Sequence, residues 1–331
     1  MSQDLDVTGI GNAIVDVLAH APDDQLARLG LHKGSMTLVD AEAAERLYAQ
    51  MAPAVEVSGG SVANSVAGLA SLGGKAGYLG KVRRDQLGQV FSHDIRAAGV
   101  EFTSQPSEAG PSTARCLILV TPDGQRTMST YLGACVELGP EDIDESLLAR
   151  SKVVYLEGYL WDPPRAKEAM LKAANLAHKH GRKVALSLSD SFCIHRHHAE
   201  FKRLIDDHVD ILFANESEAR SLTETDDFEA AASALRGRAE VVVVTRGEHG
   251  AVVLTGDRRD EVPAEPVAKV VDTTGAGDLF AAGFLYGYTH GASPADCARL
   301  GALCAAEIIS HVGARPAESL SALAAKRGLS L

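Results

Sequence analysis

The sequence predicts an α/β fold built on a mostly parallel sheet, and three observations carry that expectation. Short apolar runs of strand length alternate with amphipathic stretches of helical length along most of the chain, the rhythm of repeated βα units. The run 241–244 is valine at all four positions, apolar on both faces as a strand covered by helices should be. One segment, 113–132, breaks the rhythm and reads as a hairpin.

In chain order, the strand candidates are residues 6–10, 76–82, 153–156, 183–188, 211–214 and 241–245, each a short apolar run. Between them, residues 41–51, 62–72, 86–98, 164–180 and 227–235 carry apolar side chains at helical spacing. The exceptional segment places 113–121 and 126–132 on either side of Pro122-Asp123-Gly124, and an Asp-Gly pair in a turn favours an antiparallel hairpin. Its position between two βα units predicts strands lying off the main sheet, as a flap would. After a short strand at 251–254 the character changes, and three helical patterns follow at 276–289, 294–310 and 317–327. No repeat, low-complexity tract or linker divides the chain, so a single domain over residues 1–331 is expected.

Composition excludes several classes of function. The 331 residues carry 32 Lys and Arg against 44 Asp and Glu, a formal charge of −12. That charge repels polyphosphate, so no nucleic-acid partner is expected. Met1-Ser2-Gln3-Asp4-Leu5-Asp6 lacks the basic and apolar regions of a signal peptide. No apolar run approaches the ~18 residues of a membrane span, so no membrane partner is expected either. Cys116, Cys135, Cys193, Cys297 and Cys304 are scattered, without a C-x-x-C pair, and read as reduced thiols of a cytoplasmic protein.

The stretch Val271-Asp272-Thr273-Thr274-Gly275-Ala276-Gly277-Asp278 carries the chemistry. Gly275, Ala276 and Gly277 leave backbone N–H groups unobstructed at the start of a helix, where the donors and the helix dipole together bind an anion. Asp278 falls in the first turn, where the dipole favours its charged form. From there it can orient a hydroxyl and take its proton while the amides hold a phosphoryl group.

The string 272–278 resembles the carboxy-terminal signature of the PfkB-type, or ribokinase-like, carbohydrate kinases. That resemblance implies a three-layer sandwich with a mostly parallel central sheet and a small β lid, formed here near 12–40 and 113–132. It implies ATP-dependent transfer of a γ-phosphoryl group to a sugar hydroxyl, with Asp278 as base and Gly275, Ala276 and Gly277 as the anion hole. Four further strings match the family in its order. Ser58-Gly59-Gly60-Ser61-Val62-Ala63-Asn64 is similar to the amino-terminal signature, so Gly59, Gly60 and Asn64 are carried over as sugar-contacting residues. Gly9-Ile10-Gly11-Asn12-Ala13-Ile14-Val15-Asp16 resembles the sugar-anchoring segment and contributes Asn12 and Asp16. Asn215-Glu216-Ser217-Glu218 resembles an N-x-x-E element associated with phosphates and Mg²⁺, with Glu218 acting on the metal through water. Taken alone, Asn215 and Glu218 read as a helix-capping pair. Thr245-Arg246-Gly247-Glu248-His249-Gly250 resembles the segment along the nucleotide, giving Thr245, Arg246, Gly247 and Gly250, to which Gly313 is added. Related enzymes also bind K⁺ beside the anion hole, which makes Asp272 and Thr274 candidate ligands together with the loop 313–316. Ala317 stands where a serine is expected, which leaves backbone carbonyls to serve in its place.

The strings Gly11-Asn12-Ala13-Ile14-Val15-Asp16, Pro122-Asp123-Gly124-Gln125-Arg126-Thr127-Met128 and Leu156-Glu157-Gly158-Tyr159-Leu160 are similar to the adenosine-kinase-like branch, which implies the 5′-hydroxyl of a ribonucleoside, adenosine foremost, as acceptor. A free pentose or fructose-like hexose as substrate, or a nucleoside-binding relative without turnover, stand as alternatives, and the assembly is a monomer or homodimer. Other signals are set aside. His195-Arg196-His197-His198 reads as a solvated surface turn rather than a zinc site. Gly9-Ile10-Gly11 lacks the third glycine of a dinucleotide fingerprint, and no P-loop is present.

Overall fold

The computed structural model describes residues 4–329; the first three residues of the amino-terminal reading lie outside that range. Nine strands form one sheet. From one edge they run Arg258–Val262, Ala251–Thr255, Val241–Thr245, Ile211–Asn215 and Lys183–Ser187. Ser151–Glu157, Leu5–Ile10, Ala76–Leu79 and Val100–Phe102 complete it. Only the joins of the first three strands are antiparallel. The rest are parallel, as the apolar runs predict.

Strand alternation sorts these residues into two cores. Val7, Val153, Tyr155, Phe213 and Val243 face one side, packed with residues from the helices Ser61–Ser71, Ala276–Thr289 and Pro294–Ile308. Ile10, Val154, Leu156, Leu212 and Val244 face the other, against the helices Pro164–Lys179, His198–His208 and Phe228–Leu235. The result is three layers, helix on sheet on helix. Two glycines set the spacing of the first layer. A Cβ on Gly68 would lie 2.5 Å from the Leu279 side chain, and one on Gly283 would lie 2.6 Å from the Leu300 carbonyl. This close approach brings the starts of the helices Ser61–Ser71 and Ala276–Thr289 side by side.

A second sheet of five strands runs Met36–Leu38, Arg126–Tyr131, Ala114–Val120, Ile14–His20, Val55–Gly59. The hairpin at 113–132 therefore lies off the main sheet, and it pairs with the segment 12–40 through Ile14–His20 and Met36–Leu38. The strand character of Ile14–His20 and Val55–Gly59 is not evident from the sequence, because polar residues interrupt both runs. In Ile14–His20 alternation is what matters: Val15, Val17 and Ala19 are buried in the main core, while Ile14, Asp16 and Leu18 form the other face. There Ile14 and Leu18 join Cys116, Ile118, Val120 and Met128 in a separate apolar cluster.

Two smaller expectations are corrected. The histidine cluster is more than a turn: the helices Ser191–Arg196 and His198–His208 meet at a turn on His197, whose Nε2 lies 2.8 Å from Asp162. The last helix begins at Leu320 rather than 317, where the Ser319 side chain caps it. All five cysteines are free and buried, and no helix among the described residues is long and apolar enough to cross a membrane.

Candidate active site

The helix Ala276–Thr289 begins after Gly275, whose φ of +80° suits a residue without a side chain. A Cβ at Gly275 would also press to 3.1 Å from that of Ala314, whereas the space around Gly277 is open. Of the residues expected to form an anion hole, Gly277 keeps a free N–H and Ala276 does not. Ala276 spends its N–H on the Thr273 carbonyl at 3.2 Å, while the N–H groups of Gly277 and Asp278 find no acceptor among the described residues.

The Asp278 carboxylate is held at both oxygens. Ser61 donates its hydroxyl to Oδ1 at 2.6 Å, and Asn64 donates Nδ2 to Oδ2 at 3.0 Å. Burial pushes the Asp278 carboxyl above its usual range, against the pull of these two bonds and of Arg315. Burial thus opposes the preference for the charged form that the helix dipole gives at this position. Asn64 is engaged on one side only. Its amide nitrogen positions Asp278, leaving a buried Oδ1 without a partner.

Asp16 is built the other way. No protein group donates a hydrogen bond to its carboxylate among the described residues, and burial pushes it up to about 6 even with Arg315 and Arg126 nearby. It lies directly over Gly59, where a Cβ would come within 2.5 Å of the carboxyl carbon. Gly60, at φ +97°, lets the Asn12 carbonyl approach to where its own Cβ would be 2.2 Å away. The paired glycines thus bring chain segments together beside the site. Asn12 donates Nδ2 to Glu157 Oε1 at 2.7 Å, and the Val62 N–H donates to Oε2 at 3.1 Å.

The structure adds Glu157, Arg315 and Arg126 to the candidate site, residues to which the sequence reading gave no role. Glu157 is 1% exposed and its carboxyl is pushed up to about 7 by burial. Its signal was available: a carboxylate ending an apolar strand at the carboxyl edge of a parallel sheet, where such folds bind ligands. Arg315 donates to the Ser58 carbonyl at 2.8 Å, the Ser58 hydroxyl at 2.8 Å and the Ala63 carbonyl at 2.8 Å. It clamps the glycine loop and supplies positive charge to both Asp16 and Asp278. Arg126, from the hairpin, lies 2.7 Å from Asp272 Oδ2. The contact is an ion pair rather than an aligned hydrogen bond.

On the other flank, Asn215 and Thr245 are neighbours in register at the ends of adjacent parallel strands. Asn215 and Glu218 form a reciprocal capping box: Asn215 Oδ1 accepts from the Glu218 N–H at 2.8 Å, and Glu218 Oε2 accepts from the Asn215 N–H at 2.9 Å. Arg246 directs Nε at Glu216, 3.0 Å away, and its guanidinium sits 3.8 Å from the centre of the Phe228 ring. Gly247 and Gly250 turn the chain with φ of +55° and +81°, and a Cβ on Gly250 would strike the Val262 carbonyl at 2.0 Å. Gly313 has φ +116° and donates its N–H to Asp272 Oδ2 at 3.2 Å, while Thr274 donates its N–H to Oδ1 at 3.0 Å.

No group of three or more His, Cys, Asp or Glu side chains among the described residues could by itself hold a metal ion. What exists is an acidic corner: burial, with Asp190 adding like charge, pushes the Glu218 carboxyl up to about 7. Hard oxygen donors with few direct ligands suit Mg²⁺, which keeps most of its waters and is otherwise held by substrate phosphates.

Comparison with known proteins follows the same lines. The pattern of the pfkB family carbohydrate kinases matches residues 35–320. The chain is 28% identical to an adenosine kinase of Saccharomyces cerevisiae, with 94% of this chain and 97% of that one aligned. Among solved structures, a probable sugar kinase from Rhizobium etli superposes with a TM-score of 0.92 at 54% identity, over 99% of this chain and 100% of that one. An adenosine kinase from Sinorhizobium meliloti gives 0.91 at 54% identity, over 98% and 99%.

Proposed function

The chain belongs to the pfkB family of carbohydrate kinases, and from that premise we propose that it transfers the γ-phosphoryl group of ATP to the 5′-hydroxyl of a ribonucleoside, adenosine foremost. The family makes it an ATP-using phosphotransferase with a nucleoside or sugar acceptor. The observation that carries the narrower reading is Asp16 and its surroundings. An unpartnered carboxylate suits the paired 2′- and 3′-hydroxyls of a ribose, since each hydroxyl donates and the carboxylate only accepts. The apolar face of Ile14, Leu18, Cys116, Ile118, Val120 and Met128 lies on the same side of the sheet. Its partly exposed members Ile14, Leu18 and Met128 offer a nucleobase an apolar edge that a free sugar would not use.

In this reading Asn64 Oδ1 accepts a further substrate hydroxyl, and the acceptor oxygen approaches Asp278 between its two positioning bonds. The N–H groups of Gly277 and Asp278 hold the phosphoryl oxygens as charge spreads over them. Asp278 takes the proton at the carboxylate; burial lifts its basicity toward the working pH, which favours that role. Asn215, Thr245, Gly247, Gly250 and Gly313 line the nucleotide side with backbone groups and short side chains. Mg²⁺, held through water by Glu218, would neutralise phosphate charge. The segments 12–40 and 113–132 act as a lid that excludes water from the phosphoryl group. Amide exchange at 113–132 should accordingly slow when adenosine is added, and unchanged exchange at saturation would refute the lid.

The function is tested by ADP release with ATP and Mg²⁺ over adenosine, cytidine, guanosine, ribose and fructose. Adenosine should give the highest kcat/KM. Ribose or fructose ahead of every nucleoside would replace this reading with the sugar kinase, and tight nucleoside binding without ADP release would replace it with the binder.

A further inference from the structure

The family resemblance places a monovalent cation at Asp272, Thr274 and the Gly313 loop, and the residues present do not fit one. Asp272 already has its charge engaged: the Thr274 N–H is on Oδ1, and the Gly313 N–H and Arg126 guanidinium are on Oδ2. The Arg126 and Asp272 side chains are 5% and 6% exposed, so an alkali ion on this carboxylate would share a dry pocket with a like charge. The residues that follow the loop also offer no side-chain oxygen where one is expected. An alkali ion needs oxygens that replace its hydration shell, yet Ala317 supplies no hydroxyl. Its N–H, 2.8 Å from Glu307 Oε1, and that of Glu318 at 3.3 Å both donate to that carboxylate.

We propose that Arg126 takes the cation's place: its guanidinium neutralises Asp272, fixes the turns at Thr274 and Gly313 beside the anion hole, and leaves phosphoryl transfer indifferent to K⁺. Because Arg126 is the first residue of the hairpin strand Arg126–Tyr131, the same pair tethers the second sheet to the loop preceding the catalytic helix. Arg126 is thus a positioning residue for the anion hole. The rate part of this claim rests on the phosphotransferase reading, whereas the tether and the charge replacement do not, so melting separates the two.

The experiment compares the full chain in potassium chloride and in tetramethylammonium chloride at equal ionic strength, by thermal midpoint and by kcat/KM with ATP, Mg²⁺ and adenosine. For the wild type the midpoint should not move and the rate should change by less than about two-fold, because a site already neutralised has no affinity for the ion to express. Arg126→Gln should melt lower in tetramethylammonium and recover part of the loss in potassium, while Arg126→Lys should keep the wild-type indifference. A wild-type midpoint raised by potassium, or a rate raised about ten-fold as for a true activating ligand, would overturn the proposal. So would an Arg126→Gln protein that melts identically in both salts. If Arg126→Gln does not fold, the wild type and Arg126→Lys series decide alone. Absence of all turnover, with the midpoints behaving as described, would count against the kinase reading and leave the charge replacement standing.

Discussion

Asp278 and Asp16 are both carboxylates that burial pushes upward and Arg315 pulls back, but the two regions that hold them are finished to different degrees. Asp278, on a helix of the main sheet, has one donor on each oxygen before any substrate arrives. Asp16, on a strand of the second sheet, has none from the described residues. Asp16 is half-buried, and an acceptor drawn partly out of water without donors is costly unless a ligand supplies them. The contrast therefore separates a group oriented in advance for chemistry from one left open to recognise a hydroxyl pair. Orientation set before binding lowers the barrier to reaction, whereas an open acceptor gives selectivity.

The largest predicted effect breaks the first half of that comparison. Asp278→Asn keeps the size and can still be held by Ser61, but it cannot take a proton. Its kcat should fall by about 10²–10⁴-fold, the range for loss of a general base, while its melting midpoint stays at or above wild type. Turnover within a few-fold of wild type would remove Asp278 from the mechanism.

The second half titrates. Asp16 has a carboxyl pushed up to about 6 from its ordinary 3.8, so the folded protein holds this proton more tightly than the unfolded chain does. Its ionisation therefore costs stability, a cost that accumulates as pH rises from about 4 to about 6. Substrate hydroxyls reverse the balance by donating to the charged form. In the free protein kcat/KM should thus fall below pH of about 6, and the acid limb of kcat should lie lower. Asp16→Asn should displace the limb in kcat/KM; an unmoved limb would assign it to another group.

A smaller effect sharpens the comparison. Ser61→Ala removes one of two positioning bonds on Asp278, and the bond from Asn64 remains. A single hydrogen bond to a charged group is worth roughly 1.5–3 kcal/mol, so kcat should drop about ten- to a hundred-fold, with KM for the acceptor little changed. A rise in KM with kcat intact would mean that Ser61 binds substrate instead.

The contrast also explains what could be read in the sequence. The proposed anion hole is local: Gly275, Gly277 and Asp278 lie within four positions, and the turn at Gly275 follows from its residue type. The main sheet was legible because runs such as 241–244 are apolar throughout, and the hairpin because Asp123-Gly124 marks its turn. The strands Ile14–His20 and Val55–Gly59 were hidden, since half of each faces a site and carries polar residues there. Asn12, Asp16 and Asn64 enter by resemblance alone, and the bond from Asn64 to Asp278 is not part of that reading. That contact spans 214 residues. Arg315 reaches back 257 residues to Ser58, and Glu157 joins Val62 across 95. Such long-range contacts leave no local pattern, so the groups that tune the charges of the site appear only once the chain is folded.

The most direct test of the central claim is the ratio of kcat/KM for adenosine to that for 2′-deoxyadenosine, in the wild type and in Asp16→Ala. Removing one hydroxyl leaves a half-buried acceptor short of a donor, and sites built around a substrate hydroxyl reach discrimination of up to ~10⁴, less where water can enter. The account predicts a wild-type preference for adenosine of at least about 10²-fold, collapsing toward unity in Asp16→Ala. Equal turnover of the two nucleosides by the wild-type protein would contradict it.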